Sequence, residues 1–144
     1  MGRKAVGVGG QHHLSSHDYC WPAIESTAND PEHAARAVAG LLAGRDRPTA
    51  VLALSDQLAL GVLRAAAVAG LAVPGELSVT GFDDSPSAAS AQPPLTTVAQ
   101  PLRERGEAVG ALVRALLRGE PVAAPAPAPV RLVVRDSTAP PTSF

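Results

Sequence analysis

The stretch Ala50-Val-Leu-Ala-Leu-Ser-Asp56 decides the fold class of this 144-residue chain, because a strand ends and a helix begins within it. Its apolar run is unbroken, which is typical of a strand buried on both faces. Ser55 supplies the side-chain cap of a helix predicted to run from Asp56 to Ala69 and to stop at Gly70. A second strand, Leu77-Ser-Val-Thr-Gly-Phe82, follows. This strand–helix–strand order predicts an α/β fold with a parallel sheet and right-handed crossovers.

Elements of the same kinds flank this unit. Asn29-Asp30-Pro31 is a helix start, since a capping side chain precedes a proline at the first helical position, and Gly44 ends that helix. A longer amphipathic helix is predicted from Pro101 to Arg118, ahead of a linker rich in alanine and proline. The other predicted strands are Ala23–Glu25, which is short and weak, Leu95–Ala99 and Val130–Val134.

Composition limits the possible partners. With 46% hydrophobic and 17% charged residues, the chain can bury the core of one domain. A net charge of -1 leaves no basic surplus for a nucleic-acid clamp. No apolar run reaches the roughly 18 residues of a membrane span. No apolar segment of the kind found in signal peptides follows Met1. The single cysteine, Cys20, cannot build a disulfide framework. We therefore expect a cytoplasmic protein without a membrane partner.

Ligands of parallel α/β sheets bind beyond the carboxyl ends of the strands. In this chain Ser55 and Asp56 follow one predicted strand, and Asp83 and Asp84 follow the next. If the tips of these two strands lie side by side, all four side chains face a common pocket. The sequence therefore predicts a polar ligand site at this edge of the sheet.

Four motifs occur in order along the chain. They are Ala53-Leu-Ser-Asp-Gln-Leu-Ala-Leu-Gly61, Val73-Pro-Gly-Glu-Leu-Ser-Val-Thr-Gly-Phe-Asp-Asp84, Pro93-Pro-Leu-Thr-Thr-Val-Ala-Gln-Pro101 and Val134-Arg-Asp-Ser-Thr138. Together they resemble the C-terminal part of LacI/GalR-type bacterial transcription regulators. The resemblance covers residues 21–139. Residues 1–20 stay unassigned, as a disordered segment or a remnant of a first subdomain, and residues 140–144 form a tail.

The resemblance implies a periplasmic-binding-protein-like type I fold, in which two Rossmann-like α/β subdomains enclose a small effector. A regulator of this kind also carries a helix-turn-helix, and we expect this chain to lack both that element and most of the other subdomain. In the family the helix over residues 101–119 packs on the first subdomain, so its apolar stripe is expected to be exposed here. The stripe consists of Leu102, Gly106, Val109, Val113, Leu116 and Leu117.

The resemblance also implies a role for the aspartate pair after Gly81-Phe82. In the family the first of the two, here Asp83, accepts hydrogen bonds from effector hydroxyls. A carboxylate suits vicinal hydroxyls because it offers two acceptor oxygens. The alternative for both Asp83 and Asp84 is that they cap the turn into Ser85-Pro86, as short acidic residues often do.

Four further residues are candidates for effector contact. Ser55 stands where the family often has an asparagine that touches ligand, and Asp56 follows it. The alternative for these two is an N-cap and a first-turn acid favoured by the helix dipole. Asn29 and Asp30 lie where the family places residues at the pocket mouth.

A homodimer is implied by the same family. There, the helix that carries Leu60 and the stretch from Ala88 to Gln92 form a two-fold interface. Leu60 is predicted to project away from the core face of its helix. A subunit interface at this position explains why an outward-facing residue is apolar. The predicted dimer contacts are Leu60, Ala88, Ala91 and Gln92.

The chain has no nucleophile elbow, phosphate loop or zinc motif in its sequence. His12, His13, His17, Asp18 and Cys20 are of metal-ligating types, but their spacing matches no recognised site. We therefore predict no catalytic residue, no metal and no cofactor.

The predicted function is the ligand-sensing and dimerisation part of a LacI-type transcriptional regulator. Intact relatives are expected to bind a small effector of the sugar or nucleoside class and to change their affinity for operator DNA, which they contact through the helix-turn-helix. The alternative is a stand-alone small-solute-binding module, or a dimerisation partner of a full-length regulator, with no DNA binding of its own.

Overall fold

The structure, a computed structural model, describes residues 5–8, 28–45, 47–124 and 126–140. Within these ranges the elements are, in chain order, β1 (Ala5–Val8), α1 (Pro31–Ala43), β2 (Ala50–Ala53), α2 (Asp56–Val68), β3 (Ser78–Asp83), α3 (Pro86–Ser90), β4 (Thr96–Ala99), α4 (Leu102–Leu117) and β5 (Arg131–Val133). The weak strand predicted at Ala23–Glu25 and the histidine-rich stretch around His12 lie outside the described residues. The short helix α3 has no counterpart in the prediction.

One sheet organises the described residues, with the strand order β1-β2-β3-β4-β5. Strands β1 to β4 are parallel, and β2 pairs with β3 in a register that sets Leu52 beside Thr80. The predicted α/β fold with a parallel sheet is confirmed. The carboxyl ends of β2 and β3 also lie side by side, as the ligand-site prediction requires.

Two strands differ from the prediction. Strand β1 falls within residues 1–20, which the sequence prediction leaves unassigned, and it pairs with β2 along its whole length. Strand β5 runs antiparallel to β4. The preceding helix α4 has no buried residue, so it does not pack across the sheet as the helix of a right-handed crossover must.

The helix caps are confirmed. The Asp30 side chain accepts hydrogen bonds from the first turn of α1, and the Ser55 hydroxyl accepts one from the backbone N–H of Leu58 in α2. Helix α2 packs on β2 and β3, and α1 packs on α2. These contacts bury one apolar cluster, whose largest fully buried members are Leu77, Leu95, Val38, Val51, Val62 and Val79.

Strand β2 is buried on one face only. Val51 and Ala53 lie under the helices, but Leu52 is 43% exposed and Leu54 is 59% exposed. The expectation of burial on both faces was wrong. An unbroken apolar run is the same whether one or both faces are covered, so the sequence could not distinguish the two cases.

The apolar stripe of α4 faces solvent, as the sequence predicts. No residue of this helix is buried, and Leu117 is 83% exposed. Most of the stability of a helix in a protein comes from the packing of its apolar face, and the apolar face of α4 is without such packing in the described residues.

Candidate functional site

A shallow groove of about 370 Å³ lies beyond the carboxyl ends of β3 and β4. Asp83, the last residue of β3, is in register with Ala99, the last residue of β4. The groove is lined by Asp83, Asp84, Ala99, Gln100, Pro101, Glu104, Pro129, Val130 and Arg131. It therefore combines carboxylates, an amide and a guanidinium, which are groups that recognise a polar ligand.

Asp83 is presented to this groove by an unusual backbone conformation. Its φ of 108° lies in a region that aspartate and asparagine tolerate better than most residues. Gln100 Nε2 donates a hydrogen bond of 2.8 Å to its Oδ1. No described residue bonds the second carboxylate oxygen, so Oδ2 remains an acceptor that can bind a ligand.

Asp84 is tied to the end of the chain. Arg135 Nη2 donates to its Oδ1 at 2.6 Å, and Arg131 Nη2 lies 3.9 Å from its Oδ2. Arg135 also donates to the backbone oxygen of Leu95 at 2.8 Å. This ion pair joins the turn after β3 to the segment after β5, which gives Asp84 a structural role.

Asp56 does not belong to the groove, and its assignment to the effector site needs correction. The residue is 1% exposed. Thr97 Oγ1 donates to Oδ1 at 2.6 Å, and the backbone N–H of Ser85 donates to Oδ2 at 2.6 Å. Both carboxylate oxygens therefore accept a hydrogen bond within the fold, and the residue does not line the groove. Asp56 instead joins α2 to β4 and to the turn after β3.

Ser55 and Asn29 form a pair at the end of β2. The Ser55 hydroxyl donates to Asn29 Oδ1 at 2.5 Å and accepts from Leu58 N at 3.2 Å. Ser55 is buried and Asn29 is exposed. The side chain of Asn29 is thus available at the surface, and Ser55 holds it there while capping α2. Neither residue lines the groove beside Asp83.

Asp30 uses its carboxylate to cap α1. Oδ1 accepts from Glu32 N at 2.9 Å and from His33 N at 3.0 Å, and Oδ2 contacts the His33 ring. The backbone N–H of His33 holds the pKa of Asp30 below its ordinary value, and the His33 ring adds to this effect. Stabilisation from this ionised cap is present above the unfolded-state pKa and is lost as the pH falls through the folded-state pKa.

The residues predicted for the dimer interface separate into two groups. Ala88 is fully buried within the chain itself, because α3 lies against α2, and Ala91, directly after α3, is only 9% exposed. Their assignment as surface contacts was wrong. Leu60 is half-buried and packs against the core cluster, so it projects outward less than its helical position predicts. Gln92 is exposed.

The sequence prediction overlooked several groove residues. Gln100 and Pro101 are the last two residues of one of the four motifs, so for these two residues the motif itself carried the signal. Glu104 and Arg131 lie outside the motifs, and only the approach of α4 and β5 to β4 brings them to the groove.

Within the described residues, no group of three metal-ligating side chains converges on a point. The same part of the chain contains no helix with the length and apolar character needed to cross a bilayer.

Comparison with known proteins identifies the domain. Residues 5–138 match the family model of the periplasmic binding protein-like domain. Over 109 residues the chain is 50% identical to the HTH-type transcriptional regulator MalR of Streptomyces coelicolor, a match that covers 72% of this chain and 30% of that regulator. The chain belongs to the LacI/GalR family. It corresponds to the C-terminal effector-binding part, as the four motifs predict.

Solved structures of LacI-family proteins have the same fold. A LacI family transcriptional regulator from Bifidobacterium animalis subsp. lactis matches with a TM-score of 0.79 at 28% identity, over 96% of this chain and 56% of that chain. A LacI family regulator from Arthrobacter sp. FB24, in complex with lactose, matches with a TM-score of 0.73 at 26% identity, over 95% of this chain and 58% of that chain. The chain thus spans about 30% of MalR and a little over half of each solved relative.

Proposed function

We propose that this LacI-type chain binds a small sugar-like effector in the groove beyond β3 and β4, and that Asp83 accepts hydrogen bonds from the hydroxyls of that effector. The observation that carries the proposal is the Asp83 carboxylate. It is half-buried beside the groove, Gln100 holds one of its oxygens, and no described residue bonds the other. The lactose complex of the Arthrobacter relative supports a sugar as the ligand class.

The polar lining of the groove suits a polyol. Each hydroxyl of a sugar both donates and accepts a hydrogen bond, and the groove offers Asp83 and Glu104 as acceptors and Arg131 as a donor. Hydrogen bonds to charged groups contribute roughly 1.5–3 kcal/mol each. Asn29 would extend the site toward the end of β2, and the hydrogen bond from the Ser55 hydroxyl to Asn29 Oδ1 would fix the orientation of the Asn29 amide.

Effector binding would act on DNA through the regulator to which this region belongs. In the proposed mechanism the sugar favours one arrangement of the two subdomains, and the preferred arrangement changes the affinity for operator DNA. Couplings of this kind are typically worth about 1–3 kcal/mol, or roughly 5- to 150-fold in affinity. The chain itself would bind effector without converting it to a product.

The Asp83→Asn variant tests the effector site. Asparagine tolerates the positive φ and keeps the shape of the side chain, but it removes the charge and one acceptor oxygen. We expect the dissociation constant for the sugar to rise roughly tenfold to hundredfold. Isothermal titration calorimetry with lactose, sucrose and maltose measures this change on the folded chain.

The Asp136→Asn variant is the matched control. It makes the same chemical change at an exposed aspartate that does not line the groove. We expect it to bind sugar as the parent chain does. Equal affinities of the parent and Asp83→Asn would exclude Asp83 from the site, and a folded parent that binds none of the three sugars would contradict this ligand class.

We also propose that the chain forms a homodimer through the surface near Leu60 and Gln92. Leu60 keeps part of its apolar surface exposed on α2, and Gln92 is exposed just after α3, which packs on α2.

Sedimentation velocity should show a dimer for the parent and a monomer for Leu60→Glu. The control is Val68→Glu, which places the same charge at a fully exposed valine of the same helix and should leave the dimer intact. A monomeric parent chain at the concentrations used for calorimetry would contradict the proposal.

A further inference from the structure

Three side chains from different parts of the fold form one series of hydrogen bonds at the groove. Arg105, in the first turns of α4, donates from Nη1 to Gln100 Oε1 at 2.5 Å. Gln100, directly after β4, donates from Nε2 to Asp83 Oδ1 at 2.8 Å. The series ends at the carboxylate to which we assign effector binding.

The chemistry of the two end groups leaves a single orientation for the residue between them. A guanidinium can only donate hydrogen bonds, and an ionised carboxylate can only accept them. The middle residue must therefore accept from Arg105 and donate to Asp83. A side-chain amide does both, with its oxygen toward the guanidinium and its nitrogen toward the carboxylate.

We propose that Gln100 is the residue that positions the Asp83 carboxylate for effector binding, and that Arg105 sets the direction of the Gln100 amide. The proposal rests on the effector role proposed for Asp83. Gln100 occupies Oδ1 and leaves Oδ2 to the ligand, so it selects which oxygen meets a sugar hydroxyl. Arg105 is exposed, and hydrogen bonds at an exposed site add little to folding stability, so the effect of this contact is on orientation.

Two substitutions interrupt the series at different points. Gln100→Glu keeps an acceptor for Arg105 but turns a carboxylate oxygen toward Asp83, where a donor stood. Arg105→Met keeps the length of the side chain but removes the donor, so the amide of Gln100 can rotate. The matched control is Arg103→Met, because Arg103 lies on the same helix and pairs with exposed Glu107 instead.

The first measurement needs no ligand. In the parent chain, NMR should show one Nε2 proton of Gln100 shifted downfield by its bond to the Asp83 carboxylate. Arg105→Met should move the side-chain amide resonances of Gln100 toward free-amide values, and Arg103→Met should leave them unchanged. Free-amide resonances of Gln100 in the parent chain would overturn the proposal, whatever the chain binds.

The second measurement is calorimetry with lactose, sucrose and maltose. Gln100→Glu should weaken sugar binding roughly tenfold, Arg105→Met should weaken it less, and Arg103→Met should not change it. Weaker binding by Asp83→Asn together with unchanged binding by Gln100→Glu would overturn the positioning role and leave the proposed function standing. Unchanged binding by Asp83→Asn would instead remove the proposed function, and the positioning role with it, even if the NMR signature of the Gln100 bond were present.

Discussion

Replacing Gly61 by alanine is expected to destabilise the fold by roughly 3 kcal/mol, near the upper end of what overpacking usually costs. A Cβ at this position would lie 2.3 Å from the backbone oxygen of Pro31 and 2.6 Å from the Ala34 Cβ. Neither of these atoms can rotate away, since one is backbone and the other is a Cβ. Helices α1 and α2 would have to separate, which opens the core that they bury together. Urea unfolding followed by circular dichroism measures the change.

Gly40→Ala is the matched control for this prediction. Gly40 also lies within a helix, but a Cβ there would meet no atom within 4 Å. Alanine is favoured over glycine in a helix by about 1 kcal/mol, so this variant is expected to be more stable than the parent. If Gly61→Ala were as stable as Gly40→Ala, the close crossing of the two helices would be refuted.

Replacing Asp56 by alanine is expected to cost roughly 3 kcal/mol, and the effect should be on folding rather than on ligand recognition. The carboxylate accepts a hydrogen bond from the Thr97 hydroxyl and another from the backbone N–H of Ser85, each at 2.6 Å. Alanine leaves both donors without this acceptor, and the Thr97 hydroxyl is buried. For a chain of this size, the loss lowers the melting temperature by about 10 °C.

Asp56→Asn removes the charge of the side chain but can keep both hydrogen bonds. The amide oxygen can accept from Ser85 N, and the Thr97 hydroxyl can rotate to accept from the amide nitrogen. This variant should therefore lose much less stability than Asp56→Ala. Calorimetric melting with lactose present provides the second test, because a contact between Asp56 and the effector would show as a weaker ligand-induced shift in Asp56→Asn. We expect the shift to remain that of the parent.

The sequence was sufficient for features that depend on short-range interactions. Asp30 and Ser55 cap α1 and α2 as predicted, because a cap needs only the backbone N–H groups two or three residues further along the chain. The order of strand and helix then predicted that β2 and β3 would be parallel neighbours, since short crossovers leave few alternatives. The family also followed from motifs that are continuous in sequence.

The candidate site was predictable only in part. Asp83 follows β3, so the strand that carries it also delivers it to the groove. The other groups around it come from distant parts of the chain, such as Gln100 after β4 and Arg131 on β5. No local pattern links these residues, because their meeting depends on how strands pair and where α4 begins.

The amino-acid sequence by itself determined helices α1, α2 and α4, the parallel arrangement of β2 and β3, and the family, because capping, periodicity and chain order act over short separations. Only the tertiary structure decided what two candidate aspartates, Asp56 and Asp83, and two alanines do. Asp56 is enclosed by donors 29 and 41 residues away, whereas Asp83 keeps an oxygen toward the groove. Ala88 and Ala91 lie inside the fold because α3 packs on α2. Burial and hydrogen-bond occupancy are properties of contacts between distant residues, and these contacts exist only once the sheet and its helices have assembled.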